Sequence, residues 1–376
     1  MNFSYWEQQS YFSNISVAII GSGIVGLNAA IQLKRQQPHL HVSVFERGML
    51  PSGASTKNAG FACFGSASEL LSDLEKYTEN EVFALVERRW KGLQKLKELV
   101  GEANMGFEQY GGYEVFDDEP FYEQCASQLD YLNTQLASIV GNNVYLSTDH
   151  QIPAFDFQGV NHLIFNAYEG QIDTGSTMKT LLWIARSMGI EVFNGALVEQ
   201  IHQETQGAVL VLNDGAQIRV KQVLVTTNGF ARQLLPHLDV TPGRGQVLVT
   251  APIPNLRLKG TFHYDEGFYY FRNLGNRILL GGGRNLDFEA EATTEFGFTP
   301  LVQDKLHSLL RDMILPNQSF EIESRWSGIM GFGNQQAPII QAVSSSIFCA
   351  VKMQGMGVAI GSLVGEEAAE MLLSAM

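Results

Sequence analysis

Between Val17 and Ala30 the chain reads VAIIGSGIVGLNAA, a short apolar run broken by glycines in the spacing G-x-G-x-x-G at Gly21, Gly23 and Gly26. No other stretch limits the fold as much. The first glycine allows a tight turn off a strand, the second lets backbone approach a pyrophosphate, and the third lets the next helix pack close to that strand. The spacing predicts a strand at 16–20, a glycine turn, a helix over Ile24–Gln36 and a strand at 41–46, a βαβ opening. Glu46 ends VSVFE twenty residues after Gly26, where a carboxylate can accept both hydroxyls of a ribose. Phosphate oxygens would then meet the free N–H groups and partial positive charge of the helix start. Together these features point to a dinucleotide site. The competing reading, a glycine-rich loop with Glu46 as a solvated strand end, leaves strand, turn, helix and acid as unrelated accidents.

Composition narrows the partners. The 376 residues are 45% apolar and 17% charged, enough for an ordinary core and about two folding units. With 25 Lys and Arg against 39 Asp and Glu the net charge is −14, so no basic face dominates and nucleic acid is not an expected partner. Three cysteines, Cys63, Cys125 and Cys349, include no C-x-x-C pair, so neither a disulfide framework nor a zinc knuckle is expected. A reducing, cytoplasmic compartment is the expectation. The first fourteen residues lack the basic-then-apolar order of a secretory signal. The uncharged stretch 8–33 is interrupted by its three glycines, Asn28 and Gln32, which argues against a membrane span. The eight histidines form no H-x-x-x-H pair and there is no G-x-S-x-G elbow, so neither a metal site nor that hydrolase chemistry is expected.

Beyond the opening unit, amphipathic helices are predicted at about 80–100 and 120–140, separated by a strand-like 110–116. A helix at 174–188 and strands near 191–193, 209–212 and 223–226 resume the first pattern. Between Gly245 and Gly283 the character shifts to short strands with tight turns, 274–276 being a hairpin turn, which reads as an antiparallel sheet. A buried strand at 347–351 and a closing helix at 362–376 follow. The fold class is α/β with a discontinuous two-domain layout.

Several segments carry a more specific likeness: PSGASTKNAGF (51–61), EGQIDTGS (169–176), VLVTTNGFARQLLP (223–236), PGRGQ (242–246), RWSGIMGFGNQQAPII (325–340) and MQGMGVAIGSLVGE (353–366). Over nearly its whole length the chain resembles the FAD-dependent amino acid and amine oxidoreductases of the D-amino acid oxidase/glycine oxidase superfamily. Tyr5-Trp6, GGGR at 281–284 and WSGIM further resemble the γ-glutamylputrescine oxidoreductase branch. The resemblance implies a Rossmann-like FAD-binding domain from residues 1–80, 160–240 and 325–376, and an antiparallel-sheet substrate domain from 81–159 and 241–324. It implies noncovalent FAD held by Gly21, Gly23, Ile24, Val25, Gly26, Glu46, Arg47, Ala54, Ser55, Thr56, Asn58, Ala59, Gly60, Val198, Thr227, Asn228, Gly229, Gly328, Gly355, Met356 and Gly357. The implied reaction takes a hydride from a carbon bearing an amine to flavin N5 and leaves an imine for water to hydrolyse, with dioxygen or another acceptor reoxidising the cofactor.

On the substrate side the candidate residues are Tyr270, Lys57 and Met330. Tyr270 resembles a substrate-facing tyrosine of the superfamily, and Lys57 lies where some relatives carry a histidine bonded to the flavin. Met330 stands where amino acid oxidases of the superfamily place an arginine for the substrate carboxylate. Leu279 and Ala359 occupy two positions that are lysines in monomeric sarcosine oxidase. Small free α-amino acids are therefore not the expected substrates. Met330, Met353, Met356, Phe268, Tyr269, Tyr270 and Phe332 suit a larger or less charged amine, with Arg244 and Arg272 as remaining candidates for an anion and Cys63 as a small buried thiol. A different class, a flavin-binding protein with little turnover and a regulatory or scaffolding role, fits the same departures.

Overall fold

The computed structural model describes residues 3–376. In chain order the first part holds α1 (Tyr5–Glu7), β1 (Ile15–Ile20), α2 (Ile24–Gln36), β2 (Val42–Glu46), β3 (Phe61–Ala62), α3 (Ala67–Leu74), α4 (Glu79–Val100) and α5 (Glu102–Met105). Next come β4 (Gly112–Phe116), α6 (Glu119–Ala126), α7 (Leu129–Leu136), β5 (Tyr145–Ser147), α8 (Ile152–Phe155), β6 (His162–Asn166), β7 (Gly170–Gln171) and α9 (Thr174–Ser187). Strands β8 (Glu191–Asn194), β9 (Val198–Glu204), β10 (Gly207–Leu212), β11 (Gln217–Val225), β12 (Thr241–Thr250), β13 (Thr261–Tyr264), β14 (Tyr269–Leu274) and β15 (Arg277–Gly282) follow. The chain ends with α10 (Pro300–Leu309), β16 (Ile322–Phe332), β17 (Ile339–Ala342), β18 (Ile347–Val351) and α11 (Gly357–Ser374).

Two eight-stranded sheets organise these elements. The first runs β17-β18-β11-β1-β2-β8, with β9 and β10 hairpinned onto β11. Its central strands β18, β11, β1, β2 and β8 are parallel. Being covered on both faces, β1 and β2 are almost wholly buried, Ser43 and Glu46 included, as the inner strands of a parallel sheet are. One face packs against α2, α4, α9 and α11 in the largest apolar cluster. The second sheet runs β16-β12-β15-β14-β13-β4-β6-β5 and is antiparallel except where β4 joins β13 in parallel. Its core lies under α10 and the turn Leu310–Ile314.

Several sequence expectations shift. The predicted helix at 120–140 is two helices, because tight bonds from Ser127 and Gln128 end α6 and re-aim the chain so that Leu129, Leu132 and Leu136 join Cys125 in one cluster. The closing helix starts at Gly357, five residues before 362. The sheets also divide the chain elsewhere than the proposed boundaries do. β6 and β16, assigned to the cofactor part by the boundaries at 160 and 325, are strands of the second sheet, whereas α4, assigned to the substrate part, packs on α2 and α11 in the first. No helix of the described residues is long and apolar enough to cross a membrane.

Candidate cofactor and substrate cavity

Gly21 leaves β1 at φ +108°, a backbone conformation open to glycine, and donates its N–H to Phe45 at 2.9 Å. A Cβ on Gly26 would lie 2.1 Å from the carbonyl oxygen of Gly21, so this glycine sets the close approach of α2 to the turn. Gly23 caps α2 without a side-chain acceptor, and the Ser55 hydroxyl takes the Ile24 N–H at 2.9 Å. The turn thus opens on the segment 51–61, which wraps in front of it.

A cavity of about 290 Å³ runs from this turn, beneath 52–59, to the second sheet. Of the residues expected to hold the cofactor, Gly21, Gly23, Ile24, Val25, Glu46, Arg47, Ala54, Ser55, Asn58, Ala59, Val198, Thr227, Asn228, Gly328, Gly355, Met356 and Gly357 line it, and so do Lys57, Tyr270 and Met330. Four do not. Gly26 packs on Gly21, and the Thr56 hydroxyl is spent on the carbonyls of Pro51 and Gly53. Gly60 and Gly229 allow backbone approach instead: a Cβ would come within 2.4 Å of the Ile172 carbonyl oxygen at the one and the Met330 carbonyl oxygen at the other.

At the far end from the second sheet, Glu46 is buried, one oxygen accepting from the Ser22 N–H and hydroxyl, the other from the Gly48 N–H and the Ser52 hydroxyl. Arg47 stacks 3.7 Å above Phe230; burial pulls its guanidinium below its ordinary range, and its Nη2 has no hydrogen-bond partner. Thr227 Oγ1 is likewise buried and unpartnered. Two orphaned polar atoms and two helix starts whose own cap residues, Gly23 and Met356, offer no side-chain acceptor, those of α2 and α11, converge on this space. A nucleotide with phosphates and ribose hydroxyls fits that donor set. Asn228, held at φ +46°, accepts the N–H groups of Lys352 and Met353 at 3.0 and 3.1 Å and so fixes the 354–357 loop at the start of α11.

On the substrate side Tyr270 and Phe61 meet edge to face at 5.6 Å, and burial pushes the Tyr270 phenol up to about 12, so it remains a donor at neutral pH. The Lys57 backbone is held at both ends, its N–H donating to the Ala54 carbonyl at 3.1 Å and its carbonyl accepting from Trp326 Nε1 at 2.9 Å, and its ammonium lies 5.5 Å from the Phe296 ring. Burial, with Glu169 and Glu69 nearby, raises the Cys63 thiol well above its usual range and keeps it neutral. Arg244 and Arg272 are not anion contacts. Arg244 is tied to buried Glu291 through two hydrogen bonds, and Arg272 donates to the carbonyls of Ala59, Ile172 and Asn273. Arg272 instead clamps the wrapping segment to the second sheet.

His263 and Glu69 also line the cavity and were missed. Metal-ligand spacing does not single out His263; the alternation in GTFHY, which puts Thr261 and His263 on one face of a strand, is the sequence signal for it. Among the described residues no group of three or more metal-ligating side chains comes together.

The family model for FAD dependent oxidoreductases, DAO, matches residues 16–371. The chain belongs to this family. Its cofactor is FAD, held noncovalently, and the chain is an FAD-dependent oxidoreductase. It is 25% identical over 338 residues to a glycine oxidase of Geobacillus kaustophilus, covering 83% of this chain and 80% of that one. It is also 25% identical over 340 residues to the bifunctional protein ThiO/ThiG of Trichormus variabilis, covering 86% of this chain and 47% of the relative. The chain therefore spans about half the length, or less, of the bifunctional relatives it matches. Among solved structures, glycine oxidase from Bacillus cereus superposes with a TM-score of 0.75 at 17% identity, covering 96% of both chains, which establishes the oxidoreductase's fold.

Proposed function

We propose that this oxidoreductase oxidises a C–N bond of an amine or N-substituted amino acid, giving an imine that water hydrolyses. The observation that carries the reading is the single cavity joining a dinucleotide turn to a wall of Tyr270, Met330 and Phe61. The glycine oxidase and ThiO/ThiG relatives support the donor class. FAD, when bound, supplies the hydride acceptor.

The protein's part is to bind and orient. Glu46, Arg47, Ser55 and Thr227 would hold the nucleotide, and the uncapped N–H groups at Gly357 and beyond would stabilise negative charge that develops beside them. Tyr270 offers a hydroxyl to the substrate, and Met330, Phe61 and the neutral Cys63 exclude water from the donor carbon. Dioxygen or another small acceptor closes the cycle. Free, buried cysteines support a reducing, cytoplasmic setting.

Purified protein should be yellow, and anaerobic mixing with a panel of amines and N-alkyl amino acids should bleach the visible flavin band. Colour that no amine bleaches would defeat the reading, as would protein that takes up no FAD on reconstitution.

A further inference from the structure

His263 lies in the middle of β13, 5% exposed, on the cavity wall. Its Nε2 is 2.9 Å from an oxygen of Glu169, which is 1% exposed and also accepts from the Thr261 hydroxyl and the Asn166 amide. Among the described residues Nδ1 has no hydrogen-bond partner. Across the β13 and β14 ladder His263 stands opposite Tyr270, so the two side chains emerge side by side, and both meet Phe61 edge to face, at 5.3 and 5.6 Å. Two donors, one phenolic and one imidazole, therefore share one apolar wall.

A buried ion pair contributes little net stability, because desolvation offsets its attraction. Its chemical effect is to keep a charged donor in a dry site. Burial alone would drive the proton off His263, but the charge and hydrogen bond of Glu169 outweigh it, with Glu69 and Glu114 adding, and the imidazole is pushed up to about 9. The groups facing this ring are Glu169 before β7, Glu114 on β4, Glu69 on α3 and Tyr270 on β14. Of the other cations, Arg244 is committed to Glu291, Arg272 to backbone carbonyls and Arg89 to the Phe64 carbonyl, while the Lys57 ammonium lies 5.5 Å from the Phe296 ring and Arg47 lies over Phe230.

We propose that His263, oriented by Glu169, anchors a carboxylate on the amine substrate through its Nδ1–H, with Tyr270 as the second donor. This rests on the proposed amine oxidation and narrows it to substrates that carry a carboxylate near the reacting C–N bond. Met330 leaves no arginine at the position the resemblance singled out, and the imidazolium supplies the missing positive end. The Glu69 carboxylate opens on the same space, so one carboxylate accompanied by an amine is matched and a dicarboxylate is repelled.

The test uses the FAD-loaded enzyme titrated with propionate and with propionamide, reading the perturbation of the bound flavin's visible spectrum. Propionate should bind the wild type, and His263→Gln should weaken it about ten- to a hundredfold, the span of one charged hydrogen bond, while propionamide is unchanged. In the wild type, propionate affinity should fall as pH rises through about 9. That arm needs no variant and stands even where His263→Gln fails to fold. Equal binding of acid and amide, a pH-independent propionate affinity, or an unchanged His263→Gln would each overturn the assignment. Yellow enzyme bleached by amines but blind to carboxylates fails this inference alone; protein that takes up no FAD fails the underlying reading as well.

Discussion

Arg244 and Glu291 make the sharpest test of how the second sheet holds the cavity's rim. Their side chains are 10% and 1% exposed, and the guanidinium meets the carboxylate at 2.7 and 3.0 Å in a bidentate pair. Gln246 and the Thr299 hydroxyl donate to the same carboxylate at 2.8 and 3.0 Å. Burial alone would raise Glu291, but these donors outweigh it and hold the carboxyl below its ordinary range. Breaking a buried pair from one side leaves an uncompensated charge and costs about 3–5 kcal/mol. Arg244→Met, which leaves Gln246 and Thr299 in place, should fall at the low end, about 3 kcal/mol, and Glu291→Leu, which strands the guanidinium, somewhat higher.

The double variant Arg244→Met/Glu291→Leu should recover most of the loss, since it removes both charges together. Urea unfolding of apoprotein with matched slopes reads these differences directly. A carboxyl held low in the folded state contributes stability that is present above the usual carboxylate range and lost as pH falls through the folded value. The gap between wild type and Arg244→Met should therefore shrink in acid. Because the pair pins 285–299, whose Phe296 sits against Arg47 and Lys57, FAD should also dissociate faster from both single variants. Single losses below about 1 kcal/mol, the worth of an exposed ion pair, would refute the argument.

Three further outcomes follow from the same geometry. Gly26→Ala drives a Cβ against the Gly21 carbonyl and should cost several kcal/mol in thermal melts with or without FAD, whereas Gly23→Ala meets only the movable Ser55 hydroxyl and should lower FAD affinity while leaving apoprotein stability nearly unchanged. Glu114, pushed up to about 6 from 4.5 chiefly by burial, makes the fold lose about 2 kcal/mol as pH rises from the unfolded to the folded value. Glu114→Gln should flatten that slope, and an unaltered slope in denaturation at stepped pH would count against it. Asn228→Gly keeps the left-handed backbone but drops both hydrogen bonds to the 352–353 N–H groups, so FAD affinity measured by fluorescence should fall about tenfold or more; a Kd equal to wild type would rule out the clamp.

What could be read from sequence and what could not divides along chain separation. The glycine turn, α2 and Glu46 are legible because their steric logic is local: three glycines and one acid within a βαβ unit determine where backbone can approach a phosphate. The hairpin at 274–276 is legible for the same reason. Sheet membership of β6 and β16 is not, since a strand's hydrophobic pattern reports that it is buried and not which neighbour buries it. Arg272 shows the limit clearly. Its partners Ile172 and Ala59 lie 100 and 213 residues away, and a buried arginine satisfied by carbonyls looks, in sequence, identical to one awaiting an anion. His263 is the converse: the alternation in GTFHY puts it on one face of a strand with Thr261, but its partner Glu169 is 94 residues distant, so the sequence does not show what the imidazole pairs with. The two residues exchange roles once the fold closes, because the same packing that consumes the guanidinium leaves the imidazole with one bound and one open nitrogen. For a cavity of this kind the charge that matters is the one whose hydrogen-bonding capacity the fold leaves unspent.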